Sequence, residues 1–171
     1  AELRMLGQGV SRDVDAGRSE LETLSAAGSG DAALALADFY AKGDAGSADP
    51  ERARTYYWQA ATTGSMTALV RLGDLYSDGR LVPTDYAHAV EYYRAAADKG
   101  SPAAKIRLAE MTVRGQGTAR DADAGKAALN ELAGAGGDAH AAMMLGDLYI
   151  EGAFGSPDPE MAFAAYGRAA V

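Results

Sequence analysis

The hydrophobic positions of the chain follow a helical period that recurs along the sequence. Ala68, Leu72 and Tyr76 stand at i, i+4 and i+8, which places them on one stripe of an amphipathic helix. The same stripe recurs in two other segments: Ala32/Leu36/Tyr40 and Ala141/Leu145/Tyr149. A second apolar stripe follows the first, as in Ala53, Tyr57, Ala60 and Ala61. The pattern predicts helices that come in pairs.

The residues around these stripes predict where each helix begins and ends. Asp49-Pro50-Glu51 places an N-cap carboxylate, a proline at the first helical position and an acid in the first turn, and residues 158–160 repeat that order. Glycines stand three residues after the last position of each first stripe, where a left-handed C-cap favours glycine. These glycines are Gly43, Gly79, Gly115 and Gly152.

The paired helices form copies with a period of 36 residues. The period is marked by Gly28, Gly64, Gly100 and Gly136, and the fourth copy then runs one residue late. We predict a single array with a partial repeat at 1–30, full repeats at 31–65 and 66–101, an irregular repeat at 102–137, and a repeat at 138–171 that lacks its final residues. A two-helix unit cannot bury its apolar face alone, so the copies are expected to stack.

The repeated pattern, A-x-x-x-L-G-x-x-Y-x-x-G, then D, then A-x-x-Y-Y-x-x-A-A-x-x-G, resembles the Sel1-like repeat family, a relative of the tetratricopeptide repeat. In one copy it is carried by Ala68, Leu72, Gly73, Tyr76, Gly79, Asp85, Ala89, Tyr92, Tyr93, Ala96, Ala97 and Gly100. The resemblance implies an all-α, right-handed solenoid. It also implies protein recognition without catalysis and without a cofactor.

The third copy departs furthest from this pattern. Thr112 stands in place of a tyrosine, Ala128 and Leu129 replace the tyrosine pair, and Gly125 replaces an alanine. Because these changes remove aromatic bulk, we expect the third copy to pack more loosely than its neighbours.

Charge and composition exclude several classes of function. The 171 residues carry 24 acidic and 16 basic side chains without a basic cluster, a balance that argues against a nucleic-acid partner. The chain has no cysteine and no apolar run of membrane-spanning length. The two histidines, His88 and His140, are expected on helix surfaces rather than at a metal, and Trp58 is expected in a partly buried position between helices.

The candidate binding residues are a ladder of acids with an apolar residue four positions before each acid. They are Leu34, Asp38, Val70, Asp74, Ile106, Glu110, Met143 and Asp147. By the resemblance, first helices line the concave face, so these positions would form an acidic and apolar strip that receives a protein partner. The alternative is ordinary surface decoration, since Arg71–Asp74 and Arg107–Glu110 are i, i+3 pairs worth roughly 0.2–0.5 kcal/mol.

The resemblance implies an adaptor or scaffold, and the loops are similar to those of the scaffold lipoproteins of alginate and related exopolysaccharide secretion in bacteria. The expected location is therefore the periplasm or envelope. The alternatives are a periplasmic regulator that binds a sensor kinase, and a non-catalytic part of a larger enzyme. Both ends of the chain read as interrupted repeats, which also predicts end-to-end self-association.

Overall fold

A computed structural model describes residues 14–43, 47–135 and 137–170. Nine α-helices cover most of these residues. They are α1 (Val14–Ala26), α2 (Gly30–Lys42), α3 (Pro50–Thr62), α4 (Met66–Ser77), α5 (Tyr86–Asp98), α6 (Pro102–Arg114), α7 (Ala122–Ala135), α8 (Ala139–Glu151) and α9 (Pro159–Ala169). The predicted positions before Val14, together with Gly136, lie outside the described residues.

The helix pairs of the sequence pattern are present. The first helices are α2, α4, α6 and α8, and the second helices are α1, α3, α5, α7 and α9. The Asp49 carboxylate caps α3 by accepting the Arg52 N–H at 3.0 Å, and Ser65 and Ser101 cap α4 and α6 in the same way. Gly43, with a φ of 76°, ends α2 in the left-handed conformation that the pattern predicts.

Contacts divide the chain into two compact units, and the boundary in the sequence lies between Thr84 and Asp85. In the first unit α2 packs against α1 and α3, and α3 packs against α4. Small residues from three helices, Ala33, Ala60 and Ala68, form one buried cluster. Tyr40 and Tyr56 stack with their ring centroids 5.7 Å apart and their planes within 3°. Small residues therefore set the helix spacing here and tyrosines supply the bulk.

In the second unit each helix packs against the next one along the chain, and α6 also contacts α8. A continuous core joins α6, α7, α8 and α9. Its largest fully buried side chains are Val113, Leu129, Leu145 and Leu148. The Tyr149 and Phe154 rings meet edge to face at 4.9 Å, so a residue of the loop after α8 supplies the ring that packs on Tyr149.

The third copy is tight in one place and open in another. A Cβ added at Gly125 would lie 2.6 Å from the Ala109 carbonyl oxygen, so α7 approaches the α6 backbone as closely as a glycine allows. Near Thr112 and Ala128, however, a cleft separates the two helices. The cleft lies at two of the positions that lost a ring, whereas Leu129, the third, is fully buried. Looser packing of the whole copy stays a prediction.

Two aromatic side chains, Trp58 of α3 and Phe163 of α9, are exposed. Trp58 is 55% exposed on α3, so the predicted seat between helices is wrong. Phe163 on α9 is 81% exposed, and self-association through such a surface stays a prediction. No helix among the described residues is long and apolar enough to cross a membrane.

Candidate functional site

In the first unit the acids of the ladder have protein partners. The Tyr57 hydroxyl donates to Asp38 Oδ1 at 2.6 Å, and Tyr57 is 4% exposed. Burial raises the pKa of Tyr57, and the hydrogen bond to Asp38 raises it further. Arg71 lies between two acids, with Nε 3.7 Å from Asp38 Oδ1 and Nη1 3.8 Å from Asp74 Oδ2. Asp38 therefore links α2 to α3 and α4, whereas the Arg71–Asp74 pair lies within α4.

In the second unit the two acids differ from each other. Glu110 lies between two arginines, with Oε2 3.4 Å from Arg107 Nη1 and Oε1 3.2 Å from Arg114 Nε. Asp147 accepts a hydrogen bond from the Tyr166 hydroxyl at 2.7 Å, and in the part of the chain that the structure describes it forms no ion pair with a basic side chain. Asp147 is thus the ladder acid that keeps an unneutralised charge.

The tyrosine partners were missed by the sequence reasoning, although the sequence carries a signal for them. Asp38 and Tyr57 are 19 residues apart, and so are Asp147 and Tyr166. The third copy has no tyrosine at this spacing, because Leu129 stands 19 residues after Glu110. Glu110 is left to pair with arginines of its own helix.

The apolar positions of the ladder are not equally available to a partner. Leu34 is half-buried against the alanine cluster of the first unit, and Val70 is also half-buried. Ile106 is 6% exposed, whereas Met143 is 50% exposed. A partner would therefore meet Met143 more fully than the other three.

Three ladder residues come together in one cleft between α6 and α8. This α6–α8 cleft has a volume of about 490 Å³, which is within the usual range for ligand sites. Its lining residues are Pro102, Ala103, Ile106, Arg107, Asp138, His140, Met143, Met144 and Asp147. Of the ladder, Ile106, Met143 and Asp147 are thus brought together. Glu110 is not among the lining residues, and whether all eight positions act as one strip stays a prediction.

A close contact between α8 and α9 orients the acid of this cleft. The Tyr166 ring lies directly against Gly146, where a Cβ would overlap it. The hydroxyl of the same ring reaches Asp147, and that hydrogen bond is the main reason that the pKa of Tyr166 is raised. Glycine in a helix costs about 1 kcal/mol relative to alanine, and here it makes room for the ring.

The two histidines lie on helix surfaces, and His140 is at the cleft. The Asp138 carboxylate caps α8 by accepting hydrogen bonds from the backbone N–H groups of His140 and Ala141. The His140 side chain is exposed, and its Nδ1 lies 3.8 Å from Asp138 Oδ1. His88 lies at the start of α5, 2.7 Å from Asp85, which raises its pKa. Among the residues described, no group of three or more His, Cys, Asp or Glu side chains could hold a metal ion.

A family comparison accounts for the repeat pattern. The model of the Sel1 repeat matches four segments, residues 30–65, 67–101, 102–128 and 139–170, which together cover most of the chain. The chain belongs to the Sel1 repeat family. Sel1 repeats are a non-catalytic scaffold fold, and proteins built from them generally act as protein–protein interaction scaffolds.

Solved structures of Sel1 repeat proteins share this fold. A protective antigen of uropathogenic Escherichia coli strains that displays an SLR fold is 26% identical with a TM-score of 0.77, over 99% of this chain and 36% of the antigen. A Sel1 repeat protein from Oxalobacter formigenes has the same identity and TM-score, over 99% of this chain and 69% of that one. A putative Sel1 repeat protein from Klebsiella pneumoniae is 26% identical with a TM-score of 0.68, over 90% of this chain and 73% of that one.

These comparisons confirm the predicted all-α solenoid class of two-helix repeats. The chain spans about a third of the length of the Escherichia coli antigen. No curated protein matches it. Partners, pathway and compartment are therefore proposals.

Proposed function

We propose that this Sel1 repeat chain is a scaffold whose α6–α8 cleft binds a protein segment with an apolar side chain next to a lysine or arginine. The observation that carries the proposal is the combination of apolar walls, from Ile106 and Met143, with the unneutralised carboxylate of Asp147. Methionine fills irregular contacts easily, which suits a site that receives partner side chains.

The charge distribution favours a basic residue at this position. Asp38, Asp74 and Glu110 already face arginines of this chain, so a partner cation would have to compete for them. At Asp147 the Tyr166 hydroxyl occupies one carboxylate oxygen and holds the side chain in place. A preoriented carboxylate loses less side-chain freedom when a cation binds.

The test selects peptides from a random library displayed on phage, using the folded 171-residue chain as the target. We expect enriched peptides to carry Lys or Arg beside Leu, Met or Phe. Asp147→Asn should weaken a selected peptide by about tenfold and flatten its salt dependence, because one desolvated charge pair is lost. Met143→Ala should mainly speed dissociation.

The matched control is Asp98→Asn, which removes the same charge from the exposed end of α5. It should leave affinity unchanged. Equal losses in Asp38→Asn, Asp74→Asn and Asp147→Asn would assign binding to the whole predicted strip, rather than to the cleft. Selected peptides without basic residues, or binding insensitive to Asp147→Asn and Met143→Ala, would refute the cleft.

We also propose that the scaffold serves a bacterial envelope system, with exopolysaccharide synthesis and secretion as the specific pathway. The proposal is supported by the loop resemblance and by likeness to bacterial Sel1 repeat proteins. The test is cell fractionation of the tagged protein in its native bacterium, followed by mass spectrometry of the proteins retained. A cytoplasmic pool bound to cytoplasmic enzymes would refute it. Recovery of a sensor kinase would favour the alternative function, a periplasmic regulator that binds such a kinase.

A further inference from the structure

In the repeat at residues 31–65, called the first repeat below, a pair of rings fills the space between the first and the second helix. Tyr40 of α2 and Tyr56 of α3 are stacked. The Arg52 guanidinium lies 5.2 Å from the centroid of the Tyr40 ring, and the Tyr40 hydroxyl donates to Glu22 Oε1 at 3.2 Å. The position therefore suits a phenol ring that has a cation over its face and a carboxylate at its hydroxyl.

The third repeat has the same backbone position without the rings. Two repeats after Tyr40, Tyr56 and Arg52, the sequence has Thr112, Ala128 and Ala124. All three side chains are smaller than the ones they replace, and a cleft opens at this place between α6 and α7. We call it the α6–α7 cleft.

The α6–α7 cleft has a volume of about 380 Å³ and is distinct from the α6–α8 cleft. It is lined by Lys105, Leu108, Ala109, Thr112, Ala124, Gly125, Ala128, Glu131 and Leu132. Leu108 is only half-buried there, although the equivalent Leu36, Leu72 and Leu145 are fully buried. The walls are mostly apolar side chains, and Leu108 is less buried than its counterparts in the other repeats.

The helices cannot close this space by moving together. At Gly125, α7 already touches α6, since an added Cβ would lie 2.5 Å from Val113 Cγ2 and 2.6 Å from the Ala109 carbonyl oxygen. That contact is at the limit of approach and borders the cleft. A space that cannot collapse leaves its lining atoms without contacts, and a ligand of matching shape regains them.

We propose that the α6–α7 cleft binds a tyrosine side chain of a partner protein. The leucine and alanine side chains contact the ring. Lys105 and Glu131 line the same cleft and supply the cation and the carboxylate, the two groups that Arg52 and Glu22 supply to Tyr40 in the first repeat. The site uses a different face of α6 from the α6–α8 cleft, so it does not depend on the function proposed above.

The experiment uses the full chain with 13C-labelled leucine methyl groups and two probes, p-cresol and the tripeptide Ac-Gly-Tyr-Gly-NH2. We expect both probes to shift the Leu108 and Leu132 methyl resonances, with intermolecular NOEs to the ring protons and a Kd on the order of 1 mM. Ac-Gly-Leu-Gly-NH2 is the matched peptide, and it should bind at least fivefold more weakly.

Two variants on α7 locate the binding. Ala128→Tyr restores one ring to the cleft and should reduce p-cresol binding at least tenfold while raising the thermal midpoint. Ala127→Tyr places the same ring on the exposed side of α7 and should change neither. If Ala128→Tyr fails to fold, the smaller Ala128→Ile serves in its place, and the NOEs to the unmodified chain test the site without any variant.

Three results would overturn the proposal. The first is the absence of shifts at Leu108 and Leu132 with p-cresol at tenfold above the expected Kd. The second is equal binding of the tyrosine and leucine tripeptides, which would make the cleft a general apolar contact. The third is undiminished p-cresol binding to the folded cleft-filling variant, which would place the probe elsewhere.

Discussion

The contact at Gly125 makes one substitution a sharp test of how tightly the third repeat packs. Gly125→Ala would put a methyl group 2.5 Å from Val113 Cγ2 and 2.6 Å from the Ala109 carbonyl oxygen. Carbon atoms pack best at about 3.5–4.0 Å, so α7 would have to move outward by roughly 1 Å. The carbonyl belongs to the α6 backbone and cannot rotate away as a side chain can.

The expected size of the effect follows from two opposing contributions. Overpacking of this kind costs about 1–3 kcal/mol, because a gap of up to about 1 Å weakens the other contacts between the helices. Alanine recovers at most about 1 kcal/mol of helix propensity. We therefore expect Gly125→Ala to lower the free energy of unfolding by up to about 2 kcal/mol, measured by urea denaturation followed by circular dichroism.

The same helix offers a matched control. Gly134 also lies in α7, and a Cβ added there meets no atom within 4 Å. Gly134→Ala should keep or raise the stability by up to about 1 kcal/mol, since only helix propensity changes. If Gly125→Ala is as stable as Gly134→Ala, α6 and α7 do not meet at their limit of approach, and the helices could move together and close the α6–α7 cleft.

Three further outcomes are expected. Tyr57→Phe removes the hydroxyl that Asp38 accepts and should cost about 1.5–3 kcal/mol in urea unfolding, the range for hydrogen bonds to charged groups; a loss under about 0.5 kcal/mol would mean that water replaces it. Because the pKa of Tyr57 is raised in the folded state, the unfolded chain loses this proton first. Stability should therefore fall as the pH rises above about 10, less steeply in Tyr57→Phe, and equal slopes would contradict this. Gly146→Ala should displace the Tyr166 ring, lowering the unfolding midpoint and weakening peptides bound at the α6–α8 cleft, whereas Gly167→Ala, which meets open space, should do neither.

The sequence alone determined the helices and their pairing, because the interactions that specify them are local. The N-cap carboxylate of Asp49 reaches an N–H only three residues away, and Gly43 ends α2 by its own conformation. Apolar stripes with a helical period, repeated every 36 residues, then require stacking. The sequence also predicted the acid ladder and the local ion pairs Arg71–Asp74 and Arg107–Glu110. In the structure their closest nitrogen and oxygen atoms lie 3.8 Å and 3.4 Å apart.

The tertiary structure decided which side chains of the chain each ladder acid contacts. Asp38 meets Tyr57 from the next helix and Arg71 from the next repeat, and Asp147 meets Tyr166 while facing a cleft. Such contacts depend on side chains far apart in sequence and on the distance between helices. That distance is set where single atoms touch, as at Gly125 and Gly146. Periodicity specifies which face of a helix is buried, but it does not specify how closely the neighbouring helix approaches.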